Sequence, residues 1–329
     1  MKFTTRITGL LLASIALAPI STADAVELRA LSGWDQTYPA RPYILDQYAK
    51  NVEAASKGDI KFIISGPETV PALEQLEPTS SGVFQVLLTN GGYHFGTTPF
   101  LIPVEGFKGD IAKWREAKVN DVVDQHYRKH NLKLLALPRT PDGAFQLILR
   151  APVSKEGDLA GRKIRGTQNY AGMINMLGAS PVVMPGPEIY PALERGVIDG
   201  AGWPVIGILA NRWNEPAKYL LRPSFGVAVY PLFMNLDAWN KLKPEQQKVM
   251  LEEGRKIEES FFANWARLVD DEQAKLLAAG SIITEMGPQQ RKKMGASWSE
   301  ALWKAAKSQK NAADVEALHT FAKKSGLSD

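Results

Sequence analysis

Residues 161–204 read GRKIRGTQNYAGMINMLGASPVVMPGPEIYPALERGVIDGAGWP, and this stretch is the most informative about the fold. Residues 162–165 alternate in polarity as in a strand and end at Gly166, and a helical pattern begins a few residues later. In open α/β sheets, ligands bind beyond the carboxyl ends of strands, near helix N-termini that favour anions. We therefore expect Arg165, at the end of the strand, to meet an anion. The spacing alone leaves open a pairing with a structural carboxylate instead.

The motifs of this stretch resemble those of one family. After KIRG at 163–166 come GASPV at 178–182, PEIYPAL at 187–193 and GVIDGA at 196–201. In this order they resemble the substrate-binding proteins of tripartite ATP-independent periplasmic (TRAP) transporters, the DctP-like family, over nearly the whole mature chain. The resemblance implies an α/β, two-lobed periplasmic binding protein fold with the ligand cleft between the lobes and a long helix bridging both. In that family, the arginine at the position of Arg165 holds the substrate carboxylate.

The first 25 residues differ in character from the rest of the chain. A basic start is followed by a short apolar run at 10–20 and by the small-x-small site Ala23-Asp24-Ala25. This pattern predicts a secretory signal peptide, residues 1–25, cleaved after Ala25. No later segment has eighteen uninterrupted apolar residues, so we expect no membrane-embedded part. The chain has no Cys, and a protein of this size needs no disulfide in an oxidising compartment, so we expect a periplasmic location.

Composition argues against several other classes of protein. The chain has 329 residues, of which 45% are hydrophobic and 22% charged, and this length is enough for two domains. Its net charge of +4 is too small to indicate a nucleic-acid-binding protein. The sequence has no GxSxG, HExxH or GxGxxG motif, and the four His form no metal motif, so we expect no enzyme. His126 and His130 are expected at the surface. His94 is the one candidate general base, and it lacks a recognisable nucleophile or cofactor beside it.

Alternating strands and helices predict two α/β domains. Domain I comprises 26–143 with about 230–268, and domain II comprises 144–229 with about 269–329. The longest helical pattern begins after Pro244 and runs through 245–279, and the alternative is two helices broken near Gly254. We also expect a helix over 213–221 and a strand over 197–201 that leads into a loop with Trp203.

Loops at the strand ends supply the remaining candidate ligand-binding residues. The resemblance implies that an early Trp loop, a Gly-x-x-x-Val-Pro-Ala segment and an aromatic cluster after Gly-Gly line the cleft. For each aromatic residue, ordinary core packing is an equally valid interpretation. Besides Arg165, the candidates are Trp34, Tyr38, Glu68, Tyr93, His94, Phe145, Trp203 and Phe225.

Departures from the family pattern bear on the ligand. One branch of the family binds 2-oxo or hydroxy monocarboxylates together with a metal ion. That branch has a Glu immediately before the Trp, where this chain has Gly202. It also has a Gln ligand near position 144, and Gln146 of this chain lies close to that position. We therefore predict no metal and no cofactor. One arginine with extra aromatic surface favours a monocarboxylate with an aromatic or otherwise apolar body. A C4-dicarboxylate or sugar acid stays open, because a second cation could come from Arg41, Arg139 or Arg150.

The expected function is capture of a small organic acid by hinge closure. Arg165 fixes the carboxylate, aromatic rings cover the body of the ligand, and the closed form is delivered to the small and large TRAP membrane subunits. An extracytoplasmic sensor with the same ligand chemistry is the alternative. Monomer and dimer both stay open.

Overall fold

The computed structural model describes residues 25–309 and 312–328. The predicted signal peptide lies outside these residues except for Ala25. The strands of the described part, in chain order, are β1 (Val26–Ser32), β2 (Ile60–Ser65), β3 (Val86–Leu88), β4 (Leu132–Ala136), β5 (Phe145–Leu149), β6 (Lys163–Arg165), β7 (Ser180–Val182), β8 (Gly200–Pro204), β9 (Tyr219–Arg222), β10 (Leu232–Asn235) and β11 (Ile282–Glu285).

The helices follow the strands in an α/β alternation. Short 3₁₀ or π turns precede several of them, including Arg41–Asp46, Ala72–Glu74 and Gln168–Tyr170. The α-helices of the described part are α1 (Gln47–Ala55), α2 (Leu76–Ser80), α3 (Ile111–Glu116), α4 (Val119–Arg128), α5 (Ala171–Met176), α6 (Ile189–Glu194), α7 (Leu236–Lys241), α8 (Pro244–Ala278), α9 (Pro288–Lys307) and α10 (Ala312–Lys324). Among the helices so described, none is both long and apolar enough to cross a membrane.

Two sheets define two lobes. The first lobe is built on a sheet of order β2-β1-β3-β10-β4, in which β10 runs antiparallel to both of its neighbours. The second lobe is built on a sheet of order β11-β9-β5-β8-β6-β7. In both sheets a strand from late in the chain, β10 or β11, pairs with earlier ones. The chain therefore crosses between the lobes several times, which confirms the expected two-lobed α/β architecture.

Two crossing segments lie side by side between the lobes. Isolated antiparallel bridges join Arg139 to Val229 and Phe145 to Phe225. Between them, Thr140 N–H donates to the carbonyl oxygen of Ala228 at 3.0 Å. Because the ladder at the crossing is narrow and the sheets lie on either side of it, it can bend as a hinge while each lobe stays rigid.

The long helix α8 is the third connection. Its 35 residues span about 52 Å at 1.5 Å per residue. Near its start, the carbonyl oxygen of Met250 accepts from the Tyr48 hydroxyl of the first lobe at 3.1 Å. Near its end, Glu272 accepts from Leu209 N–H of the second lobe at 2.8 Å. The predicted bridging helix is confirmed.

Gly254 does not break this helix, so the alternative of two helices is wrong. A Cβ added at Gly254 would lie 2.4 Å from the carbonyl oxygen of Leu135 in β4. The glycine therefore allows α8 to pass close to the first sheet. Tertiary packing at this point outweighs the helix propensity that glycine lacks.

The C-terminal helices pack against the first lobe. Trp303 of α9 and Leu318 of α10 belong to a buried apolar cluster that also contains Phe107 and Trp114. Helix α9 also approaches α5 of the second lobe, where a Cβ at Gly172 would overlap Ala301. These contacts favour grouping α10 with the first lobe, and the predicted domain boundaries themselves stay a prediction.

Some predicted elements are wrong. The expected helix over 213–221 is absent from the described structure, because Tyr219–Arg222 forms β9 between β5 and β11. Trp203 lies inside β8 opposite Gln146, not in a loop after the strand.

Candidate functional site

A small cavity lies between the lobes at the carboxyl ends of the strands. Its volume is about 30 Å³, room for about two water molecules. The first lobe contributes Trp34, Tyr38, Asn90 and Tyr93. The second lobe contributes Phe145, Arg165, Thr167, Asn169, Tyr170 and Trp203, and the crossing segment adds Ala228 and Tyr230. Six of the predicted site residues therefore meet around one cavity.

Arg165 is the one cation that lines this cavity among the described residues. Strand β6 ends at Arg165, as the sequence predicts, and its side chain is only 1% exposed. The Nε and Nη2 atoms donate to the carbonyl oxygen of Met184 at 3.0 and 2.9 Å, and Nη1 donates to that of Gly202 at 3.1 Å. A guanidinium has five N–H donors, so two have no hydrogen bond within the part of the chain that the structure describes.

The charge of Arg165 also lacks an anionic partner in the described structure. The bonded oxygens are neutral carbonyls, and burial lowers the pKa of the guanidinium from its usual value. The indole ring of Trp203 lies 5.3 Å from the guanidinium carbon, at cation–π distance. A buried cation that lines a cavity and has free donors is ready to bind an anion.

Aromatic rings form the wall of the cavity. The ring centroids of Trp34 lie 5.2 Å from Tyr38 and 5.5 Å from Tyr93, and Tyr38 lies 5.7 Å from Trp203 across the cleft. The hydroxyls of Tyr38 and Tyr230 are 2.7 Å apart. Burial raises the pKa of Tyr93 to about 12, so these phenols stay neutral. The wall is therefore apolar with hydroxyl groups at its edges.

A buried carboxyl joins the two lobes behind the cavity. Glu105 Oε1 accepts from Asn90 Nδ2 of the first lobe at 2.8 Å, and Oε2 accepts from Asn169 Nδ2 of the second lobe at 2.6 Å. Burial is the main reason that the pKa of Glu105 rises to about 7, although both asparagines lower it. Because both amides donate to Glu105, their orientation toward the cavity is fixed.

Gly202 leaves room for an aromatic ring where the metal-binding branch has a carboxylate. A Cβ at Gly202 would lie 2.5 Å from the ring of Tyr170. Gln146 is fully buried, and its Oε1 accepts a hydrogen bond from Arg222 Nη1. No group of three or more His, Cys, Asp or Glu that could hold a metal occurs within residues 25–309 and 312–328.

Three of the predicted site residues do not line this cavity. Glu68 is exposed and accepts from Gly66 N–H at 2.6 Å in its own loop. His94 faces the core of the first lobe, where its Nε2 lies 2.9 Å from the Tyr127 hydroxyl and burial lowers its pKa to about 3. Phe225 packs behind the site, 5.1 Å from Trp298.

None of the three candidate second cations lines the cavity. Arg41 pairs with Asp46 at 2.9 Å. Arg139 is buried, donates to Gly109 at 2.6 Å and stacks 4.2 Å from the ring of Trp114. Arg150 is exposed in the second lobe.

His126 is also placed differently from expectation. It is 5% exposed and not a surface residue, with its ring stacked 3.8 Å from that of Phe100 and its Nε2 2.7 Å from Thr98 Oγ1. Burial lowers its pKa to about 4. Its Nδ1 lies 3.3 Å from Asp314 of α10, a partner that the spacing to His130 does not reveal.

Sequence reasoning missed five polar or aromatic residues of the site. Thr167 and Asn169 follow Arg165 in the same strand-to-helix turn, and Asn90 lies two residues after the end of β3, before two glycines. The rule that ligands bind at strand ends could have identified these three. Tyr170 belongs to a helical pattern typical of core, and Tyr230 lies on the crossing segment, where no local signal marks a site.

The comparisons with known proteins agree with one another. A family model described as bacterial extracellular solute-binding protein, family 7 (DctP) matches residues 44–309. The ectoine-binding periplasmic protein TeaA of Halomonas elongata is 24% identical over 220 residues, 64% of each chain. The monocarboxylate 2-oxoacid-binding periplasmic protein of a Nostoc species is 26% identical over 246 residues, 71% of this chain and 66% of the relative. The matches thus span less than two thirds of these relatives' lengths.

A solved structure extends the similarity over nearly the whole fold. The TRAP periplasmic solute-binding protein from Desulfovibrio salexigens with bound orotic acid superimposes with a TM-score of 0.80 at 20% sequence identity. The match covers 91% of this chain and 98% of that one. At this identity the similarity establishes the shared fold.

Proposed function

Because the chain belongs to the DctP family of bacterial extracellular solute-binding proteins, family 7, we propose that it captures a monocarboxylate with an aromatic or apolar body. The chain is a TRAP-type solute-binding protein and not an enzyme. In this proposal it acts in the periplasm after removal of residues 1–25. It then delivers the bound acid to the small and large membrane subunits of a TRAP transporter.

The buried Arg165 is the observation on which the proposal rests. It lines the cavity, is 1% exposed, has no carboxylate partner in the described structure and keeps two N–H donors without a hydrogen bond there. Keeping a charge away from water without a counter-ion costs several kcal/mol. A ligand carboxylate would recover part of this free energy, because it can accept two parallel hydrogen bonds from the guanidinium.

The other lining residues favour one carboxylate over two. Asn90, Thr167 and Asn169 are neutral, and Arg41, Arg139 and Arg150 all lie elsewhere. A second carboxylate would be buried among aromatic rings with no cation to neutralise it, which is unfavourable. The ligands named for the relatives, ectoine, a 2-oxoacid and orotic acid, are all small molecules.

Binding requires the lobes to open and close. A cavity of about 30 Å³ holds water and not an organic acid, so a ligand enters only when the lobes part. On closure, the rings of Trp34 and Tyr38 approach Trp203 from the opposite lobe. Contacts made only in the closed form then determine how far the ligand shifts the equilibrium toward closure.

A thermal-shift screen of the mature protein tests the proposal. The panel contains aromatic and branched monocarboxylates, 2-oxo acids, C4-dicarboxylates and sugar acids, each with the matching amide and with or without EDTA. A ligand that binds only the folded protein raises its melting temperature by mass action. We expect shifts with apolar monocarboxylates, unchanged by EDTA and absent with their amides. Equal shifts for acid and amide would refute the role of Arg165, and shifts confined to dicarboxylates would refute the monocarboxylate assignment.

A further inference from the structure

We infer that the ligand extends beyond the inner cavity into a second one at the mouth of the cleft. It is then an elongated acid with a hydrogen-bond acceptor between its carboxylate and an apolar end. This inference rests on the proposed function and specifies the class of acid. Two independent observations support it: an apolar cavity that shares a wall with the inner one, and a buried donor on that wall without a partner.

The second cavity, here the outer cavity, has a volume of about 300 Å³. Both lobes contribute apolar residues to it, including Pro67, Pro71 and Leu73 from the first lobe and Pro187 and Trp213 from the second. Asp35 is the one charged residue among the described residues of its lining, and its carboxylate is bonded within its own loop to Thr37. Leu73 is 40% exposed at the rim. An apolar group that enters the outer cavity would shield this surface from water.

The two cavities share a wall of four aromatic residues. Trp34, Tyr38 and Tyr93 belong to the first lobe and Trp203 to the second, and all four line both cavities. The wall is closed by the contact between Tyr38 and Trp203, whose ring centroids are 5.7 Å apart. Because this contact joins opposite lobes, opening of the hinge separates the rings and merges the two cavities into one cleft.

Trp203 has a donor without a partner at this passage. Its side chain is 6% exposed, and its Nε1 has no hydrogen-bond partner among the described residues. A Cβ at Gly207 would lie 3.3 Å from this Nε1 and 2.8 Å from the ring of Tyr38, so the donor lies beside the contact between the two rings. Buried polar groups in native proteins are nearly always satisfied, and each exception calls for an explanation. An acceptor on a ligand that passes through this gap would satisfy the N–H.

The positions of these groups specify the order of chemical groups along the ligand. The carboxylate lies at Arg165, inside the wall. The acceptor, such as an amide carbonyl, lies at Trp203 in the passage, and the apolar end lies among Pro71, Leu73 and Trp213 outside it. An N-aroyl or N-acyl amino acid has this order of groups, whereas a short acid would reach Arg165 without extending past the contact between Tyr38 and Trp203.

Three acids of related structure separate these contributions by calorimetry on the mature protein. N-Benzoylglycine has the carboxylate, the carbonyl and a phenyl end. 4-Phenylbutanoate has the same length without the carbonyl, and N-acetylglycine has the carbonyl without the phenyl ring. We expect N-benzoylglycine to bind about tenfold or more tightly than N-acetylglycine, because it buries a ring. Its affinity should exceed that of 4-phenylbutanoate by about three- to tenfold, because its carbonyl can accept from the Trp203 indole N–H.

Variants assign each preference to its residue. Trp203→Phe removes the N–H and keeps an aromatic ring, so it should abolish the preference for N-benzoylglycine over 4-phenylbutanoate. Trp239→Phe is the matched control and should leave that preference unchanged, since Trp239 is equally buried but lines neither cavity. Leu73→Asp places a charge at the exposed rim of the outer cavity. It should therefore reduce the ratio by which both phenyl acids bind more tightly than N-acetylglycine. Ratios between acids are compared, so a general loss of affinity in a variant does not affect the conclusion.

The outcomes separate this inference from the proposed function. If N-acetylglycine binds as tightly as N-benzoylglycine, or if only shorter acids bind, the outer cavity does not hold the ligand and the inference is wrong. The carboxylate site at Arg165 would still stand in that case. If Trp203→Phe preserves the preference for the carbonyl, the indole N–H is not its donor. If no acid of any length binds, the proposed function is refuted as well.

Discussion

Replacing Arg165 by Met is expected to weaken ligand binding strongly in a protein that still folds. Met keeps an unbranched apolar side chain in the buried position and removes every donor. The carbonyl oxygens of Met184 and Gly202 lose three hydrogen bonds, which destabilises the protein. At the same time a buried charge without a carboxylate partner is removed, which stabilises it by several kcal/mol. Since these effects oppose each other, the free energy of unfolding should change by about 2 kcal/mol or less.

The effect on ligand binding should be larger, because every change at this position lowers the affinity. In the variant, the ligand carboxylate would be buried without a cation. Removing one partner of a buried, hydrogen-bonded charge pair costs about 2–5 kcal/mol, which raises the dissociation constant by about 30-fold to several thousand-fold. Arg165→Lys keeps the charge without the planar fork, so it should be intermediate, with a loss of about tenfold.

Titration calorimetry with the tightest acid from the thermal-shift screen measures these constants, and circular dichroism checks that each variant is folded. Arg139→Met is the matched control, because Arg139 is also buried and bonded to backbone carbonyls but does not line the cavity. This control should lose stability and retain affinity. If Arg165→Met bound the acid within about threefold of the unmodified protein, or if Arg139→Met lost as much affinity, the carboxylate would not bind at Arg165.

Three further predictions concern stability. Because the pKa of Glu105 is raised to about 7, the folded protein holds this proton more tightly than the unfolded chain, and stability should fall as pH rises from about 4.5 to 7; urea titrations should show that Glu105→Gln loses roughly 3 kcal/mol of this dependence. The pKa of His94 is lowered to about 3, so the folded protein resists protonation of this ring and loses stability as pH falls below about 6.5. Urea titrations at pH 7 and pH 4 should therefore show a smaller drop in the free energy of unfolding for His94→Gln than for the unmodified protein. Gly254→Ala should lower the free energy of unfolding by about 1–3 kcal/mol despite the better helix propensity of Ala, because its Cβ meets the carbonyl oxygen of Leu135; an increase would contradict the close approach.

Local sequence patterns correctly predicted the features that depend on residues close together in the chain. The end of β6 at Arg165 follows from a short alternating run before Gly166, and α8 follows from periodicity after Pro244. The approach of Trp34, Tyr38 and Tyr93 to one cavity follows from their places in loops after strands, since the carboxyl ends of the parallel strands β1 and β3 meet at one edge of the sheet.

Pairings distant in sequence caused the errors. Tyr219–Arg222 has a helical pattern, yet it forms β9 because Ile282–Glu285 and β5 supply hydrogen bonds from both sides. His94 and His126 appear polar in sequence and are buried because Tyr127, Thr98 and Asp314 satisfy their ring nitrogens. Such partners lie up to 188 positions away in the chain for His126 and Asp314, so no window of sequence contains them.

By itself the sequence determined the α/β class, the family motifs and the arginine at the end of β6, because each depends on short-range periodicity or on a motif. Only the tertiary structure decided that Asn90, Glu105 and Asn169 join the lobes and that Trp203 keeps an unpaired N–H between two cavities. Hydrogen bonding and burial are set by which groups closure of the lobes brings together. Those groups come from chain segments that meet only when both sheets and the helix that bridges them are formed.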